Sequence, residues 1–217
     1  MLPRQTPIAL GLLGGTFNPV HIGHLRGAIE LRETLGLDQV SLIPAKMPPL
    51  KGTPGVSAEH RARMAALAVE RVPGLTVDTL ELEREGPSFT VDTLQALRGI
   101  HGPRASLTFI MGADALPRLH LWHDWQRLIE FANIVVLDRP GVELTLQPSV
   151  AQWLDAHTCS ADDLAQRPLG GVARAWQPPL AVSSTELRAA LSRGKNVRFL
   201  LPDPVIEYIT QHDLYSS

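Results

Sequence analysis

The sequence lacks most of the features that mark specialised classes of protein. It contains one cysteine, Cys159, in 217 residues, which excludes a disulfide framework and a cysteine metal site. Aromatic residues make up 5% of the chain. Its formal net charge is −2, so electrostatic binding to the phosphates of a nucleic acid is not favoured. No apolar run has membrane-spanning length, and the first residues do not resemble a signal peptide. We therefore expect a cytoplasmic protein that binds neither nucleic acid nor membranes.

Segments typical of strands and of helices alternate along the chain. Apolar or alternating patterns predict strands at Ile8–Leu13, Gln39–Pro44, Leu75–Leu82, Leu107–Met111, Ile134–Leu137 and Leu180–Val182. Helical patterns cover 22–35, 58–71, 91–99, 125–131, the residues after Ser183, and 203–210. This alternation favours a Rossmann-like α/β fold, with a doubly wound, mainly parallel sheet and helices on both faces.

The alternation of strands and helices runs to the end of the chain, which favours one domain. We interpret residues 1–217 as a single domain, because a strand-helix unit returns near the end of the chain. Residues 141–178 carry no clear pattern and are a candidate surface insertion. An oligomer is compatible with this interpretation.

The most specific local signal is the segment Gly14-Gly15-Thr16-Phe17-Asn18-Pro19-Val20-His21-Ile22-Gly23-His24. It lies on a strand-to-helix turn, where α/β folds bind nucleotides. Gly14 and Gly15 let the backbone approach a phosphate closely, since neither carries a Cβ. The helix that follows directs N–H groups to the same place. His21 and His24 can then donate to phosphate oxygens together.

A second segment, Ser183-Ser184-Thr185-Glu186-Leu187-Arg188, follows the last predicted strand. Ser183 and Glu186 have the spacing of a capping box at the start of a helix. The amides and hydroxyls there, with Arg188 one turn further, suit the β- and γ-phosphates of a nucleotide. The alternative is a well-capped helix with an exposed arginine.

These segments resemble a known group of enzymes. The first is similar to the signature of the HxGH nucleotidyltransferase superfamily, and within it the chain resembles the bacterial nicotinate-nucleotide adenylyltransferase family. Further matching motifs are Pro48-Pro49-Leu50-Lys51, Arg61 with Met64, Ser88–Leu94, Phe109–Asp114, Trp122–Trp125, Arg139–Gly141, Val182–Arg188 and Tyr208–Ile209. The chain departs from the family at Asn18 (usually aspartate), Phe89 (commonly tyrosine) and Leu50 (often histidine).

The resemblance implies adenylyl transfer from ATP to nicotinate mononucleotide in NAD biosynthesis, giving nicotinate adenine dinucleotide and pyrophosphate. It also implies that Mg²⁺ accompanies ATP. The nucleophile needs no general base, because the second pKa of a phosphate monoester is about 6. The protein has to hold two anions in line and neutralise charge on the leaving pyrophosphate.

The candidate site residues fall into three groups. The catalytic candidates are His21, His24, Thr16, Lys51 and Arg188. The ATP-binding candidates are Gly14, Gly15, Phe17, Gly112, Asp114, Ser183, Ser184 and Thr185, with Asp114 implied as a ribose ligand. The candidates for binding the mononucleotide are Phe89, Thr90, Trp122, His123 and Arg139, with Trp122 implied as a stacking surface. No residue is assigned to a metal, Trp125 is expected in the core, and His120 is expected on the surface.

Two kinds of alternative stay open. Another HxGH adenylyltransferase, such as one acting on nicotinamide mononucleotide, would share the phosphate chemistry. A protein that senses ATP without turnover would share the phosphate site alone, although the two histidines together with Arg188 argue against it.

Overall fold

The computed structural model describes residues 7–47, 55–138, 145–176 and 180–216, which adopt an α/β fold. The strands are β1 (Ala9–Gly15), β2 (Gln39–Pro44), β3 (Leu75–Val77), β4 (Ser106–Gly112), β5 (Asn133–Asp138) and β6 (Val172–Trp176). They form one parallel sheet in the order β3-β2-β1-β4-β5-β6. This is the strand order of the Rossmann fold, as the alternating pattern predicted.

Five of the α-helices begin within about one residue of their predicted starts, whereas the two that begin at Leu80 and Pro148 were not predicted. They are α1 (Ile22–Thr34), α2 (Ala58–Val69), α3 (Leu80–Glu83), α4 (Thr90–His101), α5 (Pro148–His157), α6 (Ser184–Leu191) and α7 (Asp203–Gln211). Three 3₁₀ segments cover Ala113–Leu121, Trp125–Glu130 and Ala161–Gln166. Within the described ranges, every helix is too short or too polar to cross a membrane.

The chain divides into two compact units. The first lies within Met1–Leu12, Arg32–Gln39 and Phe89–Gln177. Its core is formed by β4 and β5, whose register places Ile110 opposite Val135. The apolar run of β4 is buried throughout, as expected for a strand covered on both faces.

The second unit lies within Leu13–Leu31, Val40–Ser88 and Pro178–Ser217. Helix α2 packs against β3 and α7 here, and it buries Met64 and Ala65. As predicted, Ser57 caps α2, because its hydroxyl accepts a hydrogen bond from the backbone N–H of His60. Each unit combines separated stretches of sequence, so no single cut in the chain divides them.

The predicted last strand, Leu180–Val182, is wrong. The sixth strand is β6, which pairs with β5 in parallel. Its Val172 and Ala173 are buried against the sheet, whereas Leu180 is 47% exposed. The same strand also corrects the prediction that residues 141–178 form a surface insertion. Its described part, 145–176, supplies α5, a 3₁₀ segment and β6, and therefore belongs to the fold itself.

The third strand is shorter than its alternating pattern predicted. The strand ends at Val77, and α3 begins at Leu80. The Asp78 carboxylate accepts a hydrogen bond from the N–H of Leu80 at 2.8 Å. This local bond turns the chain before the alternation ends, as side chains of aspartate often do.

Candidate functional site

The segment that carries His21 and His24 begins where β1 ends and α1 starts. The strand order reverses at β1, and ligands of this fold bind outside the carboxyl ends of strands near such a reversal. The turn between Gly15 and Ile22 carries Thr16, Phe17 and His21, and His24 follows in the first turn of α1.

The two histidines of the motif are joined by a hydrogen bond and by stacking of their rings. The Nδ1 atom of His24 accepts a hydrogen bond from the backbone N–H of His21 at 3.3 Å. Because Nδ1 accepts this bond, His24 carries its ring proton on Nε2, which becomes a donor. The two rings stack with their centroids 3.7 Å apart, and the edge of Phe17 contacts His24 at 5.1 Å.

His21 is buried, with 6% of its surface exposed. Burial lowers its pKa from 6.5 to about 4, so the ring is neutral at pH 7. Its Nδ1 is buried without a hydrogen-bond partner among the residues that the structure describes. Unsatisfied buried polar atoms are rare, and they call for an explanation such as a functional role.

Gly15 and Gly23 of the motif are required by close side-chain packing. A Cβ at Gly23 would lie 2.9 Å from Cγ1 of Val182 and 3.1 Å from the ring of His21. A Cβ at Gly15 would lie 2.8 Å from the ring of Phe17. The structure therefore uses Gly15 to seat the buried Phe17 ring, which in turn supports His24.

Helix α6 brings the second predicted segment onto this turn. The Ser184 hydroxyl donates to the carbonyl of Pro19 at 3.0 Å, and Nη1 of Arg188 donates to the carbonyl of Asn18 at 2.8 Å. Arg188 also donates to Oγ1 of Thr185 at 3.3 Å. Two motifs that are more than 150 residues apart in sequence thus share one hydrogen-bonded turn.

The predicted serine cap of α6 is confirmed, although the Glu186 carboxylate bonds to the Ser183 hydroxyl and not to its backbone N–H as in a capping box. The Ser183 hydroxyl accepts from the backbone N–H of Glu186 at 3.2 Å and donates to its carboxylate at 2.8 Å. The cap fixes the start of α6, so it also fixes the position of Arg188 one turn later.

Arg61 supports the same turn but was not among the predicted site residues. Its side chain is 1% exposed. It donates to the backbone carbonyls of Thr16 at 2.7 Å, Lys46 at 3.0 Å and Val56 at 3.4 Å. Desolvation lowers the pKa of this guanidinium. The sequence signal for this role was an arginine on the alanine-rich face of α2 that is buried.

The first unit holds the aromatic candidates. The rings of Phe89 and His123 lie 4.6 Å apart with an interplanar angle of 34°. Trp122 is half-buried and meets Phe109 edge-on at 6.3 Å. The structure thus pairs Phe89 with His123.

Two other residues of this region were assigned from sequence. Trp125 is buried against Trp153, with ring centroids 5.3 Å apart, which confirms its place in the core. The expected surface position of His120 is wrong, because this residue is half-buried and its Nδ1 is inaccessible and unpaired within the described ranges.

The helix predicted near Thr90 begins at that residue. Its first-turn N–H groups are those that an α-helix leaves without intrahelical partners. Elsewhere in the unit, Gly112 ends β4, and a Cβ there would lie 2.4 Å from a carboxylate oxygen of Asp114. The exposed Asp114 carboxylate therefore folds back over the end of β4.

Two predicted residues, Lys51 and Arg139, lie outside the described residues. Within 7–47, 55–138, 145–176 and 180–216, no cluster of three or more His, Cys, Asp or Glu side chains could hold a metal ion.

The fold and the HxGH turn define a nucleotidyltransferase, and comparison with known proteins identifies the family. The model of the cytidylyltransferase-like family matches residues 12–190. A Pseudomonas syringae protein named "Probable nicotinate-nucleotide adenylyltransferase" is 45% identical over 216 residues, covering 100% of this chain and 96% of its own. A Chromohalobacter salexigens protein of the same name is 44% identical, with 97% of each chain covered. The chain therefore belongs to the cytidylyltransferase-like family, on its nicotinate-nucleotide adenylyltransferase branch.

A solved structure supports the fold. The Plasmodium falciparum nicotinic acid mononucleotide adenylyltransferase, complexed with NaAD, superimposes with a TM-score of 0.71 and 16% identity. The match covers 96% of this chain and 97% of the other.

Proposed function

We propose that this protein transfers the adenylyl group of ATP to nicotinate mononucleotide, forming nicotinate adenine dinucleotide and pyrophosphate. The observation that carries the proposal is the turn between β1 and α1. It presents the stacked pair His21 and His24, and it holds Arg188 through the carbonyl of Asn18. Close relatives over the full chain bear the name of this activity.

In this proposal the phosphate monoester of the mononucleotide attacks the α-phosphorus of ATP. Its oxygen is already largely ionised at pH 7, since the second pKa of the phosphate is about 6. The bond from the α-phosphorus to the bridging oxygen breaks, and pyrophosphate leaves. The protein's task is to orient the two anions and to stabilise the charge that develops on the leaving group.

The histidines serve as hydrogen-bond donors in this reaction. His24 donates through Nε2, because its Nδ1 is occupied by the N–H of His21. Arg188 supplies the positive charge, and its planar fork suits two phosphate oxygens at once. Thr16 lies on the same turn, and we assign it and Lys51 to the reacting phosphates as the family resemblance implies.

The magnesium ion enters this scheme with ATP as part of the substrate. Without a cluster of ligating side chains in the described part of the chain, the oxygens of the triphosphate are the natural ligands, since Mg²⁺ is usually bound through substrate phosphates and water. Positive charge on the metal adds to that of Arg188 in neutralising the phosphates.

For the acceptor, we propose that the start of α4 binds the nicotinate carboxylate. The first-turn N–H groups at Thr90 and Val91 and the helix dipole both favour an anion. Phe89, Trp122 and His123 offer aromatic surfaces for the pyridine ring, and Asp114 offers a carboxylate to the ribose hydroxyls of ATP.

The test is an assay of pyrophosphate release with ATP, Mg²⁺ and each candidate mononucleotide, with product identification by mass spectrometry. We expect the dinucleotide with nicotinate mononucleotide. Preferential turnover of nicotinamide mononucleotide would favour the alternative substrate. ATP binding without any dinucleotide product would favour a nucleotide sensor and overturn the proposal.

A further inference from the structure

Asn18 joins two residues from distant parts of the chain. Its backbone carbonyl accepts from Nη1 of Arg188 at 2.8 Å, and its side-chain Oδ1 accepts from the hydroxyl of Tyr215 at 2.6 Å. Asn18 is 7% exposed, so neither bond competes freely with bulk water. A change at Tyr215 can therefore alter the position of Arg188 through Asn18.

The chain takes a constrained path to place Tyr215 there. Helix α7 ends at Gln211, and the N–H of Leu214 donates to the carbonyl of Ile209 at 3.0 Å. Asp213 and Tyr215 have φ angles of 50° and 64°, a region that residues other than glycine seldom adopt. This turn directs the phenol back to Asn18. Burial raises the pKa of the Tyr215 hydroxyl, so the group remains a donor at neutral pH.

We propose that Tyr215 is a positioning residue for ATP: its hydroxyl fixes Asn18, and the carbonyl of Asn18 then holds the guanidinium of Arg188 in the orientation that binds the β- and γ-phosphates. The inference rests on the proposed function, which places Arg188 at those phosphates. Asn18 suits this task because a neutral amide accepts the phenol without adding negative charge beside an anion-binding arginine.

The chain provides a matched control. It has two tyrosines, and the other one, Tyr208, lies on α7, where its hydroxyl pairs with Nδ1 of His60 at 2.9 Å. Tyr208→Phe and Tyr215→Phe each delete one hydroxyl that is hydrogen-bonded within the same unit. Only the second of these hydroxyls contacts the turn that carries Asn18.

The test measures the Kd for ATP by NMR titration, which also quantifies weak binding. Tyr215→Phe should raise this Kd about fivefold, as expected for the loss of one buried hydrogen bond. Tyr208→Phe should change it by less than about twofold. The KM for the mononucleotide should stay the same in both variants, which separates positioning of ATP from a general loosening of the fold.

The coupling to Arg188 is tested in a double-mutant cycle. In the Arg188→Ala background, Tyr215→Phe should change the ATP Kd by less than about twofold, because the group it positions is gone. An unchanged Kd in the single variant, an equal rise in Tyr208→Phe, or a fivefold rise that persists without Arg188 would each overturn the inference. Failure of the wild-type protein to form dinucleotide would overturn the proposed function alone, since the ATP Kd needs no turnover.

Discussion

The backbone N–H of His21 donates to Nδ1 of His24, and the two imidazoles stack with their centroids 3.7 Å apart. This relationship gives each histidine of the HxGH motif a distinct role. His21 sets the tautomer of His24 through its main chain, and its own ring is kept neutral by burial. Both rings can therefore act on phosphate oxygens as oriented dipoles, while Arg188 provides the net charge.

Replacement of His24 by alanine should lower kcat by about 10²–10³, the usual loss for one donor to a developing negative charge. His24→Asn retains a donor group and should lose less. Steady-state rates with saturating ATP measure both variants. The half-exposed position of His24 predicts little change in melting temperature, so a variant that unfolds but keeps normal activity per folded molecule would contradict this role.

His21→Ala should lower kcat to a similar extent and also destabilise the protein, because the ring is buried against Gly23. His21 is one of the few buried polar residues of the described chain, with 6% of its surface exposed. Thermal and chemical unfolding measured beside kcat separates the two effects. Full activity of the folded fraction would show that His21 is structural only.

The stability of the ligand-free protein should depend on pH through His21. Its pKa is about 4 when folded against 6.5 for the ordinary group, so between these values the unfolded chain binds more protons. Stability is then fully present above about pH 6.5 and falls as the pH drops towards 4, by up to about 3 kcal/mol. Urea unfolding of wild type and His21→Gln across this range measures the difference. An identical pH slope in both proteins would contradict the assignment.

Arg188→Lys should raise the KM for ATP about tenfold and leave the KM for the mononucleotide unchanged, because lysine cannot reproduce a forked contact with two oxygens. Arg193→Lys is a matched control. Arg193 follows the same helix, and its Nε donates to the carbonyl of Ala189 at 2.8 Å. Equal effects on both substrates, or an equal effect of Arg193→Lys, would count against the placement of Arg188.

Arg61→Met should destabilise the protein by about 3 kcal/mol or more, since it leaves buried backbone carbonyls without their charged donor. Arg63→Met, an exposed arginine on the same helix, is the control and should change stability by less than about 0.5 kcal/mol. Urea denaturation compares the two. Similar small losses would mean that Arg61 does not support the turn at Thr16.

The proposed carboxylate site at the start of α4 predicts a preference for nicotinate over nicotinamide mononucleotide of roughly 10- to 100-fold in kcat/KM, because a mispaired buried donor costs about 1–3 kcal/mol. Val91→Pro removes one N–H and should reduce this preference. Val91→Ala changes the same side chain, keeps the N–H and should preserve the preference. Trp122→Ala should weaken both substrates. Equal kcat/KM values in the wild-type protein would refute the site.

Much of the fold could be predicted because its signals are local. The apolar run of β4, the serine caps of α2 and α6, and the start of α4 each depend on neighbouring residues, and each lies close to its predicted position. Periodicity fails where one side chain redirects the backbone, as Asp78 does at the end of β3. It fails again at β6, whose short strand is stabilised by its pairing with β5.

The sequence by itself determined which chemistry this protein carries. The spacing of His21 and His24 after a strand, and of Ser183 and Arg188 at a helix start, predicts phosphate-binding groups within about one turn of chain, where geometry follows directly from secondary structure. Only the tertiary structure decided how those groups are held. Packing brings together residues that are distant in sequence. Arg188 and Tyr215 both donate hydrogen bonds to Asn18, and Arg61 donates to three backbone carbonyls. Packing also buries His21, which lowers its pKa. Burial and long-range hydrogen bonds depend on the whole folded chain, and no local pattern encodes them.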